Sequence, residues 1–318
     1  RLSIAVFCGK GNNGGDGLAI ARLLHTDGYK NIQVFLVDFS TKQSDDNLLN
    51  LDRLLAVNLQ VIKVSQPKEI ENLKADILID AILGSGLNKP LGANYTDLAR
   101  LINQANAKVI AVDVPTGFNG ENQISENYNG VKADLVISFQ RPKINFFMPG
   151  SVLAFKKFKV VDIGLAEDFI EAQPSNFKLT TLDDIKKLLK PRENFTHKGT
   201  YGHALIVAGN TTTMGAALLS ASACLHSGAG LTTVCLPQSG LIALNTLLPE
   251  VMALPQNEFE NTAFEKFNAI AIGPGLGVTE ENEILLKKLI ISLICNSSNS
   301  APLVKSPDLS FLPFPKRY

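Results

Sequence analysis

The chain has 318 residues, enough for two domains of ordinary size, and 45% of them are hydrophobic, so it can bury a substantial core. Its 30 basic and 30 acidic residues cancel, so the overall charge favours neither nucleic acid nor an anionic membrane as a partner. The four cysteines form no C-x-x-C pair, which favours reduced core thiols in a cytoplasmic protein. The four histidines lack metalloprotease spacing and no G-x-S-x-G motif occurs, which argues against zinc proteases and serine hydrolases.

A glycine-dense stretch near the start has the pattern of an anion-binding turn. Residues 2–7 predict a buried strand, and residues 18–24 predict a helix that Gly28 terminates. Between them, residues 8–17 read C-G-K-G-N-N-G-G-D-G, where glycines permit positive φ angles and a close backbone approach to a ligand. The included G-x-G-x-x-G pattern is a weak signal by itself. The two amides and the carboxylate indicate a site that also handles a sugar hydroxyl, a metal ion or a proton, although a tight turn with capping Asn and Asp is the alternative.

The second predicted strand, residues 32–37, ends at Asp38. In a dinucleotide dehydrogenase an acid at this place binds the ribose hydroxyls. The polar stretch that follows is equally compatible with an exposed loop residue. A helix is then predicted over residues 48–57 and a strand over residues 61–64.

Two later strands also end in acids. Residues 77–83 are apolar except for Asp80, and residues 109–112 are followed directly by Asp113. A lone buried carboxylate is costly, so we expect Asp80 to be paired, hydrogen-bonded or bound to an ion. Because the carboxyl ends of parallel strands meet at one edge of a sheet, we expect Asp16, Asp80 and Asp113 to share one site there.

A further strand, residues 133–139, leads to Arg141 and Lys143, whose charges suit a phosphate rim or a solvated loop equally well. A last strand follows at residues 160–164, and the composition then becomes polar and charged. Repeated strand and helix patterns predict an α/β fold, with a Rossmann-like three-layer domain over residues 1–172.

This first half resembles the YjeF N-terminal family, the NAD(P)H-hydrate epimerases, in its opening glycine stretch and in the segments around Asp80 and Asp113. The resemblance implies nicotinamide-nucleotide repair, with NADHX or NADPHX as the small-molecule substrate. It also implies a potassium ion held by Asn13, Asp80 and Thr116, where threonine replaces the more usual serine but keeps a hydroxyl oxygen. The substrate-binding residues that it implies in this half are Asn12, Asn13, Gly14, Gly15, Asp16, Gly84, Ser85, Gly86, Leu87, Asn88, Lys89, Pro90 and Asp113.

Interconverting two hydrates at one ring carbon needs no redox partner, but it needs a group that takes and returns a proton. We expect Asp113 to handle this proton, with Asp16 as the second candidate, while the cation orients rather than reacts. Two alternatives stay open. A nucleotide-dependent oxidoreductase is favoured by G-x-G-x-x-G and Asp38, and a non-catalytic nucleotide-binding scaffold would need only the fold.

The second half, residues 173–295, again alternates strands and helices. An amphipathic helix over residues 182–189 precedes a strand at 204–209, a small-residue helix at 215–223 and a strand at 231–234. Residues 204–249 carry no charged side chain, but polar residues, glycines and a proline interrupt every run of about 18 residues, so we expect buried elements and no membrane span.

Five motifs of this half resemble, in order, the ADP/ATP-dependent NAD(P)H-hydrate dehydratases, which have a ribokinase-like fold. They are K-G-x-x-G, G-A-A, S-G-A-G-L, P-E-V-M and G-P-G-L-G. The resemblance implies that Ala216 and Gly277 contact the hydrated nucleotide and that ADP or ATP is a cofactor. Residues 296–318 form a divergent Ser/Pro-rich tail that lacks the family's nucleotide-binding turn and G-S-G-D acid, so we expect an incomplete domain that is inactive in dehydration. The sequence leaves open the preference between NADHX and NADPHX and whether the chain forms a homo-oligomer.

Overall fold

The computed structural model describes residues 2–70, 73–87, 89–121, 124, 126–189 and 191–296. Contacts divide the chain into two compact units, with the division between Thr180 and Thr181. The boundary near residue 173 stays a prediction. Within the described ranges, no helix has the length and apolar character that crossing a bilayer requires.

The first unit is built on a sheet of seven strands. These strands are β1 Ile4–Cys8, β2 Ile32–Val37, β3 Val61–Val64, β4 Ile77–Ala81, β5 Lys108–Val112, β6 Leu135–Phe139 and β7 Phe158–Val161. All neighbours pair in parallel in the order β3-β2-β1-β4-β5-β6-β7. The chain order therefore reverses between β1 and β4, and the crevice at their carboxyl ends is the place where such sheets bind ligands.

Helices cover both faces of this sheet. The helices of the first unit are α1 Asn12–Thr26, α2 Asp45–Leu55, α3 Ala93–Gln104 and α4 Glu167–Glu171. Alternate residues of β1 enter different cores: Val6 packs in one cluster with Leu18 of α1, and Phe7 packs in the other with Leu98 of α3. The predicted three-layer α/β fold is thus confirmed. Helix α3 was not predicted, although Leu98 and Ile102 have the i, i+4 spacing of its buried face.

The second unit contains a smaller parallel sheet. Its described strands are β8 His203–Val207, β9 Leu231–Leu236, β10 Met252–Pro255 and β11 Ala269–Ile272, and its helices are α5 Leu182–Leu188, α6 Met214–His226, α7 Leu241–Leu247 and α8 Glu280–Asn296. The strands run in the order β10-β9-β8-β11. Helix α6 lies close to the sheet because small residues such as Ala217 and Ala221 form its buried face. The long uncharged stretch of the sequence is therefore β8, α6, β9 and α7.

The cysteines agree with the expectation of reduced thiols. In the described part of the chain, Cys8, Cys224 and Cys235 are free, and the first and last of these are buried. Burial raises the pKa of the Cys8 thiol strongly, so it behaves as a small apolar core residue.

Candidate functional site

Helix α1 begins inside the glycine-dense stretch, at Asn12, which corrects the prediction that the stretch is a turn followed by a helix from residue 18. Gly11 is the N-cap, and no side chain caps the first turn. The first N–H groups of α1 are therefore available to an anion at the carboxyl end of β1.

The expectation of positive φ angles in this stretch is wrong, while the expected close approach to a ligand stays a prediction. None of the glycines between residues 9 and 17 has a positive φ. Instead, a Cβ on Gly9 would lie 1.9 Å from the carbonyl oxygen of Ile82, and a Cβ on Gly14 would lie 1.8 Å from that of Gly9. These two positions need glycine because backbone segments touch there.

Asn47 of α2 fixes the shape of the stretch and was missed by the sequence analysis. It is fully buried, and its Nδ2 donates to the carbonyl oxygens of Gly9 (2.9 Å) and Gly11 (3.3 Å). Its Oδ1 accepts a hydrogen bond from Gln43 Nε2 at 2.7 Å. Asn and other polar residues are common in the first turn of a helix, where they often cap it, so the sequence gave no specific signal for this contact.

Asp80 is a buried carboxylate on β4 with 1% exposure. The backbone N–H of Thr116 donates to its Oδ2 (2.7 Å), while Thr116 Oγ1 (2.7 Å) and the N–H of Ile82 (3.3 Å) donate to its Oδ1. Burial raises the pKa of Asp80 to about 6 in spite of these hydrogen bonds. The expected hydrogen bonding is present, but no lysine, arginine or histidine of the described ranges pairs with this carboxylate.

The side chain of Asn13 lies against the second glycine turn. A Cβ on Gly84 would lie 3.2 Å from the Cβ and Cγ of Asn13. Both polar atoms of the Asn13 side chain are buried and have no hydrogen-bond partner in the described structure. The N–H of Leu83 donates to Thr116 Oγ1 at 3.1 Å, so residues 83 and 84 connect Asn13 with the Asp80–Thr116 pair.

The three side chains that these segments connect, Asn13, Asp80 and Thr116, carry an amide oxygen, a carboxylate and a hydroxyl. Such oxygen donors suit hard cations rather than zinc or copper. Where the chain is described, no group of three His, Cys, Asp or Glu side chains is placed to hold a metal ion.

Asp113 follows β5 in a backbone conformation that is rare for a residue with a side chain, with φ 65°. Its N–H donates to the carbonyl oxygen of Ile137 at 2.8 Å, which holds this conformation. The N–H of Ser85 donates to Oδ2 (3.0 Å), while Lys143 Nζ (3.0 Å) and Ser138 Oγ (3.4 Å) contact Oδ1. Burial raises the pKa of Asp113, but the hydrogen bonds from Ser85 and Lys143 and the charge of Lys143 outweigh it and lower the pKa overall. Asp113 is therefore a carboxylate at neutral pH.

Asp16 lies within α1 and is exposed, which corrects the expectation that it sits at a strand end beside Asp80. Partial burial and the negative charges of Asp113 and Asp46 raise the pKa of Asp16. The structure thus brings Asp16 within electrostatic reach of Asp113, while Asp80 is buried.

The second glycine turn follows β4 directly. Ser85 places it against Asp113, as described above, and Gly84 places it against Asn13. Of its other members, Gly86, Lys89 and Pro90 are exposed and Leu87 is half-buried. Asn88 lies outside the described residues.

Asp38 is an ion-pair partner in this structure. Its Oδ1 lies 2.6 Å from Lys10 Nζ and its Oδ2 lies 2.7 Å from Lys63 Nζ. Hydrogen bonds from these two lysines hold the pKa of Asp38 below its usual range. Arg141 forms an ion pair with Glu167 of α4, and Lys143 forms one with Asp113. Both cations that were predicted for a phosphate rim or a solvated loop therefore have an acidic partner.

At the carboxyl edge of the second sheet, the loop that follows β8 contacts the loop that follows β11. The N–H of Gly209 donates to the carbonyl oxygen of Pro274 at 2.8 Å. A Cβ on Gly275 would lie 2.6 Å from the Cβ of Ala216, and a Cβ on Gly277 would lie 3.4 Å from Asn210 Nδ2. Ala216 and Gly277 therefore lie at the same edge, where β8 and β11 are adjacent.

Comparisons with known proteins match both halves. Residues 2–145 match the family described as YjeF-related protein N-terminus, and residues 204–296 match NAD(P)H-hydrate dehydratase. A bifunctional NAD(P)H-hydrate repair enzyme Nnr from Coxiella burnetii is 32% identical over 289 residues, which cover 90% of this chain and 58% of the relative. One from Thermofilum pendens is 33% identical over an alignment of 327 residues, which covers 96% of this chain and 59% of the relative.

A solved structure, the ADP/ATP-dependent NAD(P)H-hydrate dehydratase from Bacillus subtilis co-crystallised with ATP/Mg2+, is 30% identical over 37% of this chain and 44% of that chain, with a TM-score of 0.34. The chain spans 58% of the length of the Coxiella relative. With both halves matched in this order, the chain joins a YjeF-related N-terminal region to an NAD(P)H-hydrate dehydratase region, and it is similar over 90% or more of its length to bifunctional NAD(P)H-hydrate repair enzymes.

Proposed function

We propose that the first unit interconverts the R and S epimers of hydrated NADH or NADPH and so serves nicotinamide-nucleotide repair. The observation that carries this proposal is the meeting of three segments at the carboxyl edge of the sheet. The second glycine turn donates to Asp113 through Ser85 and contacts Asn13 of the first stretch through Gly84. A nucleotide bound in this crevice would have an acid–base group beside its ring and a helix N-terminus beside its phosphates.

Asp113 would supply the proton transfer. The hydrated ring carries its hydroxyl on a carbon bonded to the ring nitrogen. When a carboxylate takes the hydroxyl proton, the carbon–nitrogen bond can open to an aldehyde, and the nitrogen keeps the bond's electron pair and accepts the proton back from Asp113. Closure on the opposite face reverses these transfers and inverts the carbon, so the reaction consumes no oxidant or reductant.

Asn13, Asp80 and Thr116 would hold a potassium ion. Two observations on the described residues support this proposal: the Asn13 amide is buried without a hydrogen-bond partner among them, and none of their lysines, arginines or histidines pairs with the buried Asp80 carboxylate. A buried amide without a hydrogen-bond partner is costly, and so is a buried carboxylate that has hydrogen bonds but no counter-charge; a hard monovalent cation would satisfy both. The bound potassium ion would hold the two glycine-rich segments in place relative to Asp80. It would take no part in the proton transfers, which are proposed for Asp113.

In the second unit, Ala216 and Gly277 would contact a hydrated nucleotide. Their place at the edge beside β8 and β11 supports this role. The ADP or ATP requirement of this unit is proposed from the family named above. Inactivity in ATP-dependent dehydration stays a prediction, because residues 297–318 lie outside the described residues.

The test is epimerisation of purified R- and S-NADHX and NADPHX by the full chain, followed by chromatography of the two epimers. We expect each pure epimer to equilibrate with the other, faster with potassium than with choline as the cation. Asp113→Ala should lower kcat by about 10²- to 10⁴-fold, the usual contribution of a general base. The matched control is Asp134→Ala, which removes a lysine-paired carboxylate at the amino-terminal end of β6. An Asp113→Ala rate equal to that of the control would refute the proposal.

A further inference from the structure

Lys143 and Asp113 form an ion pair, and a contribution to the stability of the fold does not by itself explain where this pair lies. The two side chains are 23% and 11% exposed, and Nζ lies 3.0 Å from Oδ1. A largely buried ion pair is often no more stabilising than an apolar pair of the same size, because both charges lose water. Asp113 also has a strained φ, and strain of this kind persists where a function requires the geometry.

The backbone that carries Lys143 is fixed independently of Asp113. The N–H of Asn145 donates to the carbonyl oxygen of Gly120 at 3.1 Å, and the N–H of Phe146 donates to the carbonyl oxygen of Lys143 at 3.0 Å. A Cβ on Gly120 would lie 3.4 Å from the Cβ of Lys143, so the lysine stem passes directly along this glycine. The backbone segment around Lys143 is therefore held by its own hydrogen bonds, and it places the ammonium against Asp113, as a preorganised site requires.

The surroundings of Asp113 give this ammonium a specific task. From α1, Asp16 presents a negative charge to Asp113, and Asp46 of α2 adds a second negative charge near Asp16. Ser138 and Ser85 contribute only neutral donors. Among the residues that the structure describes, Lys143 is the cation within ion-pair distance of Asp113.

We propose that Lys143 is a positioning residue for epimerisation: its ammonium holds the Asp113 carboxylate in one orientation and keeps it charged beside Asp16, so that Asp113 can take and return the substrate proton. This role rests on the proposed function, since it assigns the proton step to Asp113. It differs from a phosphate-rim role, in which Lys143 would bind substrate and leave the proton step unaffected.

The experiment compares Lys143→Met, Lys143→Arg and the matched control Lys156→Met, which breaks the lysine–carboxylate pair with Asp134 (2.6 Å) in the same unit. For Lys143→Met we expect kcat to fall by about 10- to 100-fold, less than for removal of Asp113 itself, with KM changed by less than about threefold. The acidic limb of the pH profile should move up by about one pH unit, because loss of a nearby cation favours the protonated carboxyl. Lys143→Arg should restore most of kcat, and Lys156→Met should match wild type.

Two results would overturn the assignment. A rise in KM with unchanged kcat would make Lys143 a phosphate ligand, and equal losses in Lys143→Met and Lys156→Met would make the effect merely structural.

A ligand-free measurement separates this proposal from the proposed function. The 13C resonance of the Asp113 carboxyl, assigned by comparison with Asp113→Asn, is titrated in wild type and in Lys143→Met. We expect the midpoint to rise in the variant, and an unchanged midpoint overturns the positioning role. If wild type does not epimerise either hydrate, the proposed function fails, and this titration still decides whether Lys143 controls Asp113.

Discussion

Asn13 and Asn210 lie at comparable places in the two units, each following the first strand of its sheet, and the structure treats them differently. Asn210 Oδ1 accepts hydrogen bonds from the N–H and Oγ1 of Thr212 (both 2.8 Å) and from the N–H of Thr213 (3.0 Å). The polar atoms of Asn13 are buried and have no partner in the described structure. The polar side chain of the second turn is therefore satisfied within its own loop, whereas that of the first turn finds no hydrogen-bond partner among the described residues, as the proposed cation site would require.

The two edges also differ in charge. Neither residues 209–213 nor residues 273–277 include a titratable side chain. The first unit brings Asp16 and Asp113 into electrostatic reach of each other and buries a third carboxylate, Asp80. Of the loops compared here, those of the first edge therefore carry the side chains that acid–base chemistry would need, and residues 209–213 and 273–277 carry hydroxyls, an amide and small side chains.

The largest effect should come from removing the backbone contact that shapes the first edge. Gly14→Ala places a Cβ 1.8 Å from the carbonyl oxygen of Gly9, so we expect it to cost about 3 kcal/mol or more of unfolding free energy. Alanine is the better helix former by about 1 kcal/mol, so propensity works against this result. Urea unfolding measures the change. Gly11→Ala is the control, because no atom lies within 4 Å of its added Cβ, and equal stabilities of the two variants would contradict the close contact.

An intermediate effect should come from potassium. At a concentration about 100 times its Kd, a bound ion stabilises the folded state by about 2.7 kcal/mol, so thermal unfolding in potassium should occur at a higher temperature than in choline. Asn13→Ala should abolish this shift, and without potassium it should be neutral or stabilising because it removes a buried unpaired amide. Asn210→Ala in the second unit should keep the shift. Equal potassium shifts in wild type and Asn13→Ala would contradict the cation site and with it the contrast between the asparagines.

The smallest effect should come from the ion pairs of Asp38. Its pKa is lowered in the folded state by Lys10 and Lys63, so its stabilising contribution is present above its unfolded pKa of about 4 and is lost as the pH falls through the lower folded value. Asp38→Asn should therefore lower the unfolding free energy at pH 7 by at most about 1 kcal/mol, because both pairs reach solvent. Urea unfolding at several pH values should show this difference shrinking toward pH 2. A difference that stays constant with pH would show that charge is not its cause.

The sequence by itself determined the α/β fold and the glycine-rich segments that follow strands in both units, although it did not reveal that α1 begins inside the first of them. These signals are local: an apolar run predicts a strand, and glycines with an amide or carboxylate after it predict a ligand-binding turn. Asp80 was also readable, because an acid inside an apolar strand requires a partner.

Only the tertiary structure decided how these residues are used. Whether Asp38 is free or paired, and whether Lys143 faces solvent or Asp113, depends on partners from other strands, and the sequence permitted both answers. The same holds for the start of α1: Asn47, 38 residues beyond Gly9, and Ile82 of a different strand end fix the glycine stretch. The packing of the sheet decides which distant segments form hydrogen bonds and ion pairs with each other, so a local sequence pattern cannot predict these contacts.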